Sequence, residues 1–342
     1  WSEGVGMDDR LMLGPLEDVA HDPYITDVAV TCDGRVWVDR GNGMDEFHPH
    51  AAFRSPQTVR DYAVQLCAQL GRRLDDACPI ADASTAGGIR VHAVIAPLVP
   101  QGAAISIRFP ECGVPRLESL AVRGAMPEAW LPLLRGLVSR RATILITGGT
   151  GTGKTTLMKA LLAECGASER IVTVEEVREL GMLGLVNHVS LVSREANVEG
   201  AGAVGLPELV KATLRMRPDR VVLGECRGEE IADLLRALNS GHHGGMTTLH
   251  ADGVARVQAR MEALGLLAGL APQALAMLTA GAFDVVLHLE RRNGRRYIGQ
   301  IGCLVYDRGS LSGVPIAAWD GRRAAYAPEW EPFRRRWMAA GS

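Results

Sequence analysis

Apolar and polar residues repeat with two different periods along the chain. Over residues 24–47 they alternate one by one, which is typical of half-buried strands, and Asp33-Gly34 between two such runs predicts a hairpin turn. Apolar side chains three or four positions apart then predict a helix over residues 56–70. Further strands are predicted at residues 90–95 and 104–109. The first part of the chain is therefore predicted to be an α+β domain.

Past residue 115 the pattern changes to strands and helices in alternation, which predicts a mostly parallel sheet. Strands are predicted at residues 144–147, 171–175, 221–224, 246–249 and 285–289. Helices are predicted at residues 154–164, 207–215, 229–239 and 254–264. A segment with proline and glycine, residues 110–115, separates the two patterns. We therefore predict an N-terminal α+β domain at residues 1–111 and a larger α/β domain at residues 112–342.

One uncharged stretch, residues 263–283, is long enough to be compared with a membrane span, which needs about 20 apolar residues. Gly269, Pro272 and Gln273 interrupt it and predict two short helices instead. We therefore expect no transmembrane segment here.

The last part of the chain is basic. Beyond residue 286 there are ten arginines against five acidic residues. We predict a basic tail in which Trp330, Phe333 and Trp337 share one helical face, and in which Pro332 weakens the helix. Such a tail could contact an anionic membrane. The alternative is a solvated tail that packs a few aromatic side chains on the domain.

Composition narrows the class of protein. The chain has 342 residues, of which 47% are hydrophobic and 22% are charged, as in ordinary globular proteins. Its 37 basic and 39 acidic side chains leave a net charge of −2, which argues against sequence-independent coating of nucleic acid. Seven cysteines are scattered without the spacing of a metal site, which indicates reduced thiols in a cytosolic protein.

A glycine-rich segment carries the strongest chemical signal. Residues 148–155 match the pattern G-x-x-x-x-G-K-[ST] between a predicted strand and a predicted helix. Glycines let the backbone N–H groups surround phosphate oxygens at the helix N-terminus. Lys154 is expected to reach the β- and γ-phosphates, and the Thr155 hydroxyl to ligate Mg²⁺. The candidate nucleotide-binding residues here are Gly148, Gly149, Thr150, Gly151, Thr152, Gly153, Lys154, Thr155 and Thr156.

Carboxylates follow two of the later strands. Glu175, Glu176 and Glu179 come at and after the end of one strand, and Glu225 follows another. Open α/β sheets bind ligands at the carboxyl ends of their strands. Carboxylates at that edge can hold Mg²⁺ through water and polarise an attacking water. The alternative is a set of surface acids with no role in chemistry.

Four more segments carry a family resemblance: residues 170–180, 214–220, 224–228 and 239–251. Together with the glycine-rich loop, and in this order, they resemble the hexameric ATPases of bacterial secretion, conjugation and pilus machines. The chain looks most similar to the tight-adherence pilus branch of these ATPases. The resemblance implies a RecA-like P-loop domain preceded by a smaller α+β domain, with ATP and Mg²⁺ as ligands.

The resemblance also implies roles for individual residues. Glu225 matches the acid that supports Mg²⁺ and the catalytic water, and Glu179 matches the carboxylate that polarises that water. Glu176 stands where aspartate is usual, so its charge is displaced by about one methylene. His242 and His250 match a histidine box that follows the nucleotide state, since neutral imidazole can hydrogen-bond phosphate or carboxylate. The alternative for both histidines is a packed structural role.

Arginines are candidates for supplying positive charge to the γ-phosphate, which often comes from a neighbouring subunit or domain. Arg108, Arg194 and Arg227 are the favoured ones, and Arg90 and Arg217 also match family positions. Because only three of the 37 basic residues are lysines, arginine is abundant enough for coincidence. A plain salt bridge or a solvated position is the alternative for each.

These features predict a hexameric ATP-hydrolysing motor that powers pilus assembly or protein secretion. The expected partners are inner-membrane platform proteins, and the expected location is the cytoplasmic face of the inner membrane. One alternative is a RecA-like nucleic-acid translocase, against which stands an aromatic content of only 5%. The other is a scaffold that binds ATP without hydrolysing it, against which stands the complete set of acids.

If Arg108 supplies charge to the transition state, replacing it with glutamine should lower the rate of ATP turnover more than it lowers the affinity for ATP. Steady-state phosphate release and equilibrium nucleotide binding measure the two effects separately. Turnover equal to that of the unmodified protein would contradict a catalytic role for Arg108.

Overall fold

The computed structural model describes residues 11–338 except for residues 23, 42, 86, 110–113, 182, 195 and 197–200. The chain forms two compact units. The first comprises Trp1–Gly113 and Val177–Met182, and the second comprises Val114–Glu176 and Leu183–Ser342. Most of the segment in which the sequence predicts the domain boundary, residues 110–113, lies outside the described residues.

The first unit is a six-stranded antiparallel sheet with one long helix. Its elements in chain order are α1 (Glu17–Ala20), β1 (Asp27–Val30), β2 (Val36–Asp39), β3 (Met44–Phe47), α2 (Pro56–Gln69), β4 (Ile80–Ser84), β5 (Arg90–Ile95) and β6 (Ala103–Arg108). The strand order is β3-β2-β1-β6-β5-β4, and every pairing is antiparallel.

Helix α2 covers one face of this sheet. The Ser55 hydroxyl accepts the Thr58 N–H at the N-terminus of the helix, and Pro56 follows in the first turn, where its missing N–H costs nothing. Val59, Ala63 and Leu66 are fully buried against the apolar side of the strands. Because side chains alternate along a strand, the opposite face collects the polar residues.

The second unit is built on a nine-stranded sheet. Its first elements are α3 (Leu117–Val122), α4 (Leu131–Ser139), β7 (Ile144–Gly148), α5 (Lys154–Leu162), β8 (Ile171–Glu175), β9 (His188–Val192), α6 (Leu206–Thr213), β10 (Arg220–Leu223), α7 (Glu230–Asn239) and β11 (Met246–Leu249). The remaining elements are α8 (Val257–Leu267), α9 (Pro272–Ala282), β12 (Val285–Arg292), β13 (Arg295–Asp307), β14 (Ser310–Trp319), β15 (Ala324–Tyr326) and α10 (Trp330–Trp337).

The strand order is β15-β14-β13-β12-β7-β11-β10-β8-β9. Strands β12 to β9 are parallel, and β13, β14 and β15 are added in antiparallel pairings. Every residue of β7, β8, β10 and β11 is buried, because helices cover both faces of the sheet. The mostly parallel sheet predicted for the second part of the chain is present.

The uncharged stretch at residues 263–283 belongs to two helices, as predicted. Helix α8 ends at Leu267, and α9 starts at Pro272, so that the proline occupies the first helical position. None of the helices in the described part of the chain is both long enough and apolar enough to span a bilayer.

The basic C-terminal region is a folded part of the second unit rather than a tail, and its aromatic side chains pack on the domain, as the second of the two alternatives predicts. Strands β13, β14 and β15 extend the sheet, and α10 packs against α4. Trp330, Phe333 and Trp337 are buried, with the Trp330 ring 6.0 Å from Trp130. Pro332 is the third residue of α10, where a backbone N–H has no acceptor within the helix, so it does not break it. The three aromatic side chains are therefore part of the core of the second unit.

Replacing Phe333 with alanine should lower the free energy of unfolding of the second unit by about 3 kcal/mol, because it leaves a cavity in a buried aromatic cluster. Denaturant titration followed by tryptophan fluorescence measures the change. Leu266→Ala is the control, since Leu266 on α8 of the same unit is 67% exposed and its loss should cost no more than about 0.5 kcal/mol. Equal effects of the two substitutions would contradict the packing of α10.

Candidate functional site

The glycine-rich loop joins β7 to α5 and needs its glycines. Gly148, Gly151 and Gly153 have φ angles of 150°, 70° and 95°, which L-residues with a side chain rarely adopt. A methyl group on Gly148 would lie 2.6 Å from both the Leu289 carbonyl oxygen and the Thr152 hydroxyl. The loop is therefore tightly folded, and it ends at the N-terminus of a nine-residue helix.

Lys154 is buried beneath this loop. Its Nζ donates hydrogen bonds to the carbonyl oxygens of Gly148 at 3.1 Å and Gly149 at 2.9 Å. Thr155 and Thr156 occupy the next two positions of α5. The positive end of the helix dipole and a desolvated ammonium group thus converge on one point, and an anion is the ligand that this arrangement attracts.

Two carboxylates reach the same edge of the sheet from neighbouring strands. Glu175 is the last residue of β8 and is buried, and Glu225 follows β10 by two positions. A methyl group on Gly224 would lie 3.0 Å from Cγ of Glu175, so glycine at this position leaves room for the Glu175 side chain. The Thr248 hydroxyl donates to the Gly224 carbonyl at 2.7 Å and ties β11 to this turn.

His250 links the carboxylate to the loop. It follows β11, the strand between β7 and β10, and its Nε2 lies 2.7 Å from Oε1 of Glu225. Its Nδ1 lies 3.5 Å from Nζ of Lys154. Burial and the Lys154 charge lower the pKa of His250, and they outweigh the opposing effect of Glu225. A neutral imidazole with its proton on Nε2 leaves Nδ1 as an acceptor facing Lys154.

Arg227 completes this cluster on its exposed side. Its guanidinium donates to Glu225 at 2.7 Å and to Glu176 at 3.3 Å. The segment that carries Arg227 is held by Glu230, a buried residue that the sequence did not single out. The Glu230 carboxylate accepts the N–H groups of Arg227 at 2.6 Å and Gly228 at 2.8 Å. Its position in the first turn of α7 is the signal that could have revealed it.

The first unit holds two of the predicted site residues. Glu179 pairs with Arg90 at 2.6 Å. Arg108, on the polar face of the sheet, pairs with Asp27 at 3.0 Å. Both contacts lie within the first unit.

The other predicted residues of the second unit make no hydrogen bond or ion pair with Glu225, Lys154 or His250 in the part of the chain that the structure describes. Nε of Arg194 donates to the Gly202 carbonyl at 2.6 Å and so holds a loop. Arg217 adopts a left-handed conformation with a φ of 52°. His242 precedes β11, and its Nδ1 lies 3.2 Å from the Ala237 carbonyl at the end of α7. Within this chain, His242 is therefore at the opposite edge of the sheet from the glycine-rich loop.

The site fits a nucleotide with Mg²⁺. The loop and Lys154 suit phosphate, while the Thr155 hydroxyl and the Glu225 carboxylate are oxygen donors of the kind that Mg²⁺ prefers. No group of three histidine, cysteine, aspartate or glutamate side chains in the described part of the chain could hold a metal ion by itself.

The chain is similar in sequence to proteins of bacterial secretion and conjugation systems. A family model described as "Type II/IV secretion system protein" matches residues 10–298. A putative conjugal transfer protein of Mycobacterium tuberculosis is 43% identical over 310 residues, which cover 89% of this chain and 87% of the relative. The type IV secretion system protein PtlH of Bordetella pertussis is 34% identical over 303 residues, which cover 79% of this chain and 87% of that protein.

The fold is also found among solved structures. The ATPase DotB of Legionella pneumophila superposes with a TM-score of 0.58 at 18% identity, over 86% of this chain and 80% of that one. At this identity the likeness concerns the fold alone. It confirms the predicted α/β architecture with a RecA-like domain.

Because Lys154 lowers the pKa of His250 and Glu225 raises it, removing each partner should move this pKa in opposite directions. We expect Lys154→Met to raise it and Glu225→Gln to lower it, as followed by NMR titration of ¹³C-labelled histidine. His288 is the internal control, because burial lowers its pKa and neither Lys154 nor Glu225 contributes. Shifts of the same sign at His250 would contradict the geometry.

The lowered pKa of His250 also predicts how the free energy of unfolding depends on pH. The pKa of His250 is lower in the folded chain than its ordinary value of 6.5, so protonation favours the unfolded state. Its contribution to the free energy of unfolding is complete above pH 6.5 and declines as the pH falls from 6.5 towards the pKa of the folded chain.

Proposed function

The chain belongs to the type II/IV secretion system protein family, and from that premise we propose that it is an ATP-hydrolysing motor of a bacterial secretion, conjugation or pilus machine. The observation that carries this proposal is the continuous contact from Lys154 through His250 to Glu225. It connects the residue suited to bind phosphate with the residue suited to act on water, across three neighbouring strands. A scaffold that only binds nucleotide would have no need of this connection.

The residues divide the chemistry as follows. Lys154 and the N–H groups of the loop bind the phosphates, and Thr155 and Glu225 hold Mg²⁺, directly or through water. Mg²⁺ supplies positive charge to the β- and γ-phosphate oxygens when it is bound. Glu225 and Glu179 orient and polarise the attacking water. His250 stays neutral, so one ring nitrogen can donate a hydrogen bond to Glu225 while the other accepts one on the side of the γ-phosphate.

Several finer assignments belong to the same proposal. Arg108, Arg194 and Arg227 supply positive charge during hydrolysis, and Glu176 supports Arg227. His242 completes the histidine box in the assembled motor. The domain boundary lies between residues 111 and 112, close to the division between the two compact units.

We also propose the setting in which the motor works. It forms a homohexamer at the cytoplasmic face of the inner membrane and acts on inner-membrane platform proteins. The names of its relatives, which refer to conjugal transfer and to type IV secretion, support a role in a secretion machine. Within the family we propose the tight-adherence pilus branch, on the sequence resemblance described above. Loss of pili after deletion of the gene, with secretion intact, would support that branch.

Glu225→Gln should keep ATP binding and abolish turnover, because the amide is almost isosteric with the carboxylate but cannot polarise the water or attract Mg²⁺ equally well. We expect turnover to fall at least about 100-fold, the lower range for the loss of an acid–base group. Phosphate release measures turnover, and fluorescent ATP measures binding. Glu262→Gln is the matched control, since Glu262 lies on α8 and contacts Gln258.

A second pair of variants separates binding from chemistry. Lys154→Ala should abolish ATP binding, whereas Lys211→Ala should not, because Lys211 is an exposed lysine paired with Asp233 on another helix.

Retained turnover in Glu225→Gln would contradict the assignment of the catalytic acid. Binding without turnover in the unmodified protein would favour the scaffold, and turnover stimulated by DNA or RNA would favour the translocase.

A further inference from the structure

A β-hairpin runs alongside the glycine-rich loop. Strand β12 pairs with β7 up to Leu289 opposite Gly148, and then continues beyond the end of β7 to Arg292. Asn293 and Gly294, with φ angles of 51° and 77°, turn the chain into β13. The tip of this hairpin therefore projects past the carboxyl edge of the sheet, where the loop begins.

The four arginines of the hairpin tip form two cross-strand pairs. Arg291 lies opposite Arg296, and Arg292 lies opposite Arg295. Since directly opposite residues of an antiparallel pair share a face and successive pairs alternate, the two pairs point to opposite faces of the hairpin. All four side chains are exposed.

The face with Arg291 and Arg296 is the one that lies on the glycine-rich loop. A methyl group on Gly151 would lie 3.6 Å from Nη1 of Arg291. A methyl group on Gly153 would lie 3.7 Å from Cδ of Arg296 and 3.8 Å from Cδ2 of Leu289. Because the loop has glycine at both positions, nothing separates the arginine side chains from its backbone.

This placement gathers positive charge on one side of the glycine-rich loop. Arg291 and Arg296 lie beside the positive N-terminus of α5, close to the buried ammonium of Lys154. A ligand with several negative oxygens at the loop can accept hydrogen bonds from both guanidinium groups.

We propose that Arg291 and Arg296 form a cation pair that binds phosphate oxygens of the nucleotide held by the glycine-rich loop. This inference rests on the proposed function, since it adds two ligands to the same nucleotide. A guanidinium group suits the role because its planar N–H groups can donate two parallel hydrogen bonds to one phosphate. The hairpin lies on the β12 side of β7, whereas β11 and β10 lie on its other side.

The test compares the two faces of the hairpin. Arg291→Gln and Arg296→Gln should each weaken binding of fluorescent ATP about tenfold, the effect of losing one charge-assisted contact. Arg292→Gln and Arg295→Gln remove the same charge from the other face and should change the affinity less than twofold. If all four variants lost equal affinity for ATP, the effect would come from the overall positive charge of the hairpin tip, and the proposal would be overturned.

Competition with tripolyphosphate identifies the part of the nucleotide that is bound. Tripolyphosphate carries the phosphates without base or ribose, so Arg291→Gln and Arg296→Gln should weaken it as much as they weaken ATP. A loss confined to ATP would overturn the assignment to phosphate. Thermal unfolding of each variant should match the unmodified protein, because all four side chains are exposed.

The outcome also separates this inference from the proposed function. If the unmodified protein binds and hydrolyses ATP but Arg291→Gln and Arg296→Gln behave like it, the cation pair is wrong and the motor stands. If the unmodified protein does not bind ATP, the proposed function fails and the cation pair fails with it. Arg291→Lys, which keeps the charge but loses the paired donors, should fall between the glutamine variant and the unmodified protein.

Discussion

The burial of the central parallel strands on both faces is the constraint on which the rest of this structure depends. With β7, β8, β10 and β11 covered by helices, charged side chains within them occur only at strand ends, where Arg220 begins β10 and Glu175 ends β8. Parallel pairing brings all the carboxyl ends to one edge. The glycine-rich loop, a carboxylate and an imidazole therefore meet there, although each comes from a different part of the chain.

At that edge, burial also affects the protonation state of His250. His250 is partly buried beside Lys154, and both effects favour its neutral form over the charged one. A neutral imidazole can serve as donor on one nitrogen and acceptor on the other, which is what a connection between Glu225 and the loop requires. Charges elsewhere in the cluster are balanced more directly, since Arg227 contacts two carboxylates and Glu230 holds its backbone.

The basic C-terminal region forms the antiparallel extension of the sheet, β13 to β15, and the helix α10. Its aromatic side chains anchor α10 to the rest of the second unit, with Trp330 in contact with Trp130 and Tyr326. The arginines of the β12–β13 hairpin lie at the other end of the same extension, against the glycine-rich loop. The C-terminal region thus contributes aromatic side chains to the core through α10 and positive charge to the glycine-rich loop through the β12–β13 hairpin.

The sequence by itself determined the features that depend on neighbouring residues: the glycine-rich loop, the break before Pro272, the Asp33-Gly34 turn and the strands that lead to Glu175 and Glu225. Their geometry follows from local backbone freedom and from periodicity. The tertiary structure decided which of the charged residues meet. His250 reaches Lys154 and Glu225 while His242 does not, and Trp330 is in the core although its segment is rich in arginine. Such contacts depend on strand order and burial, which bring distant segments together and leave no periodic signal in the sequence.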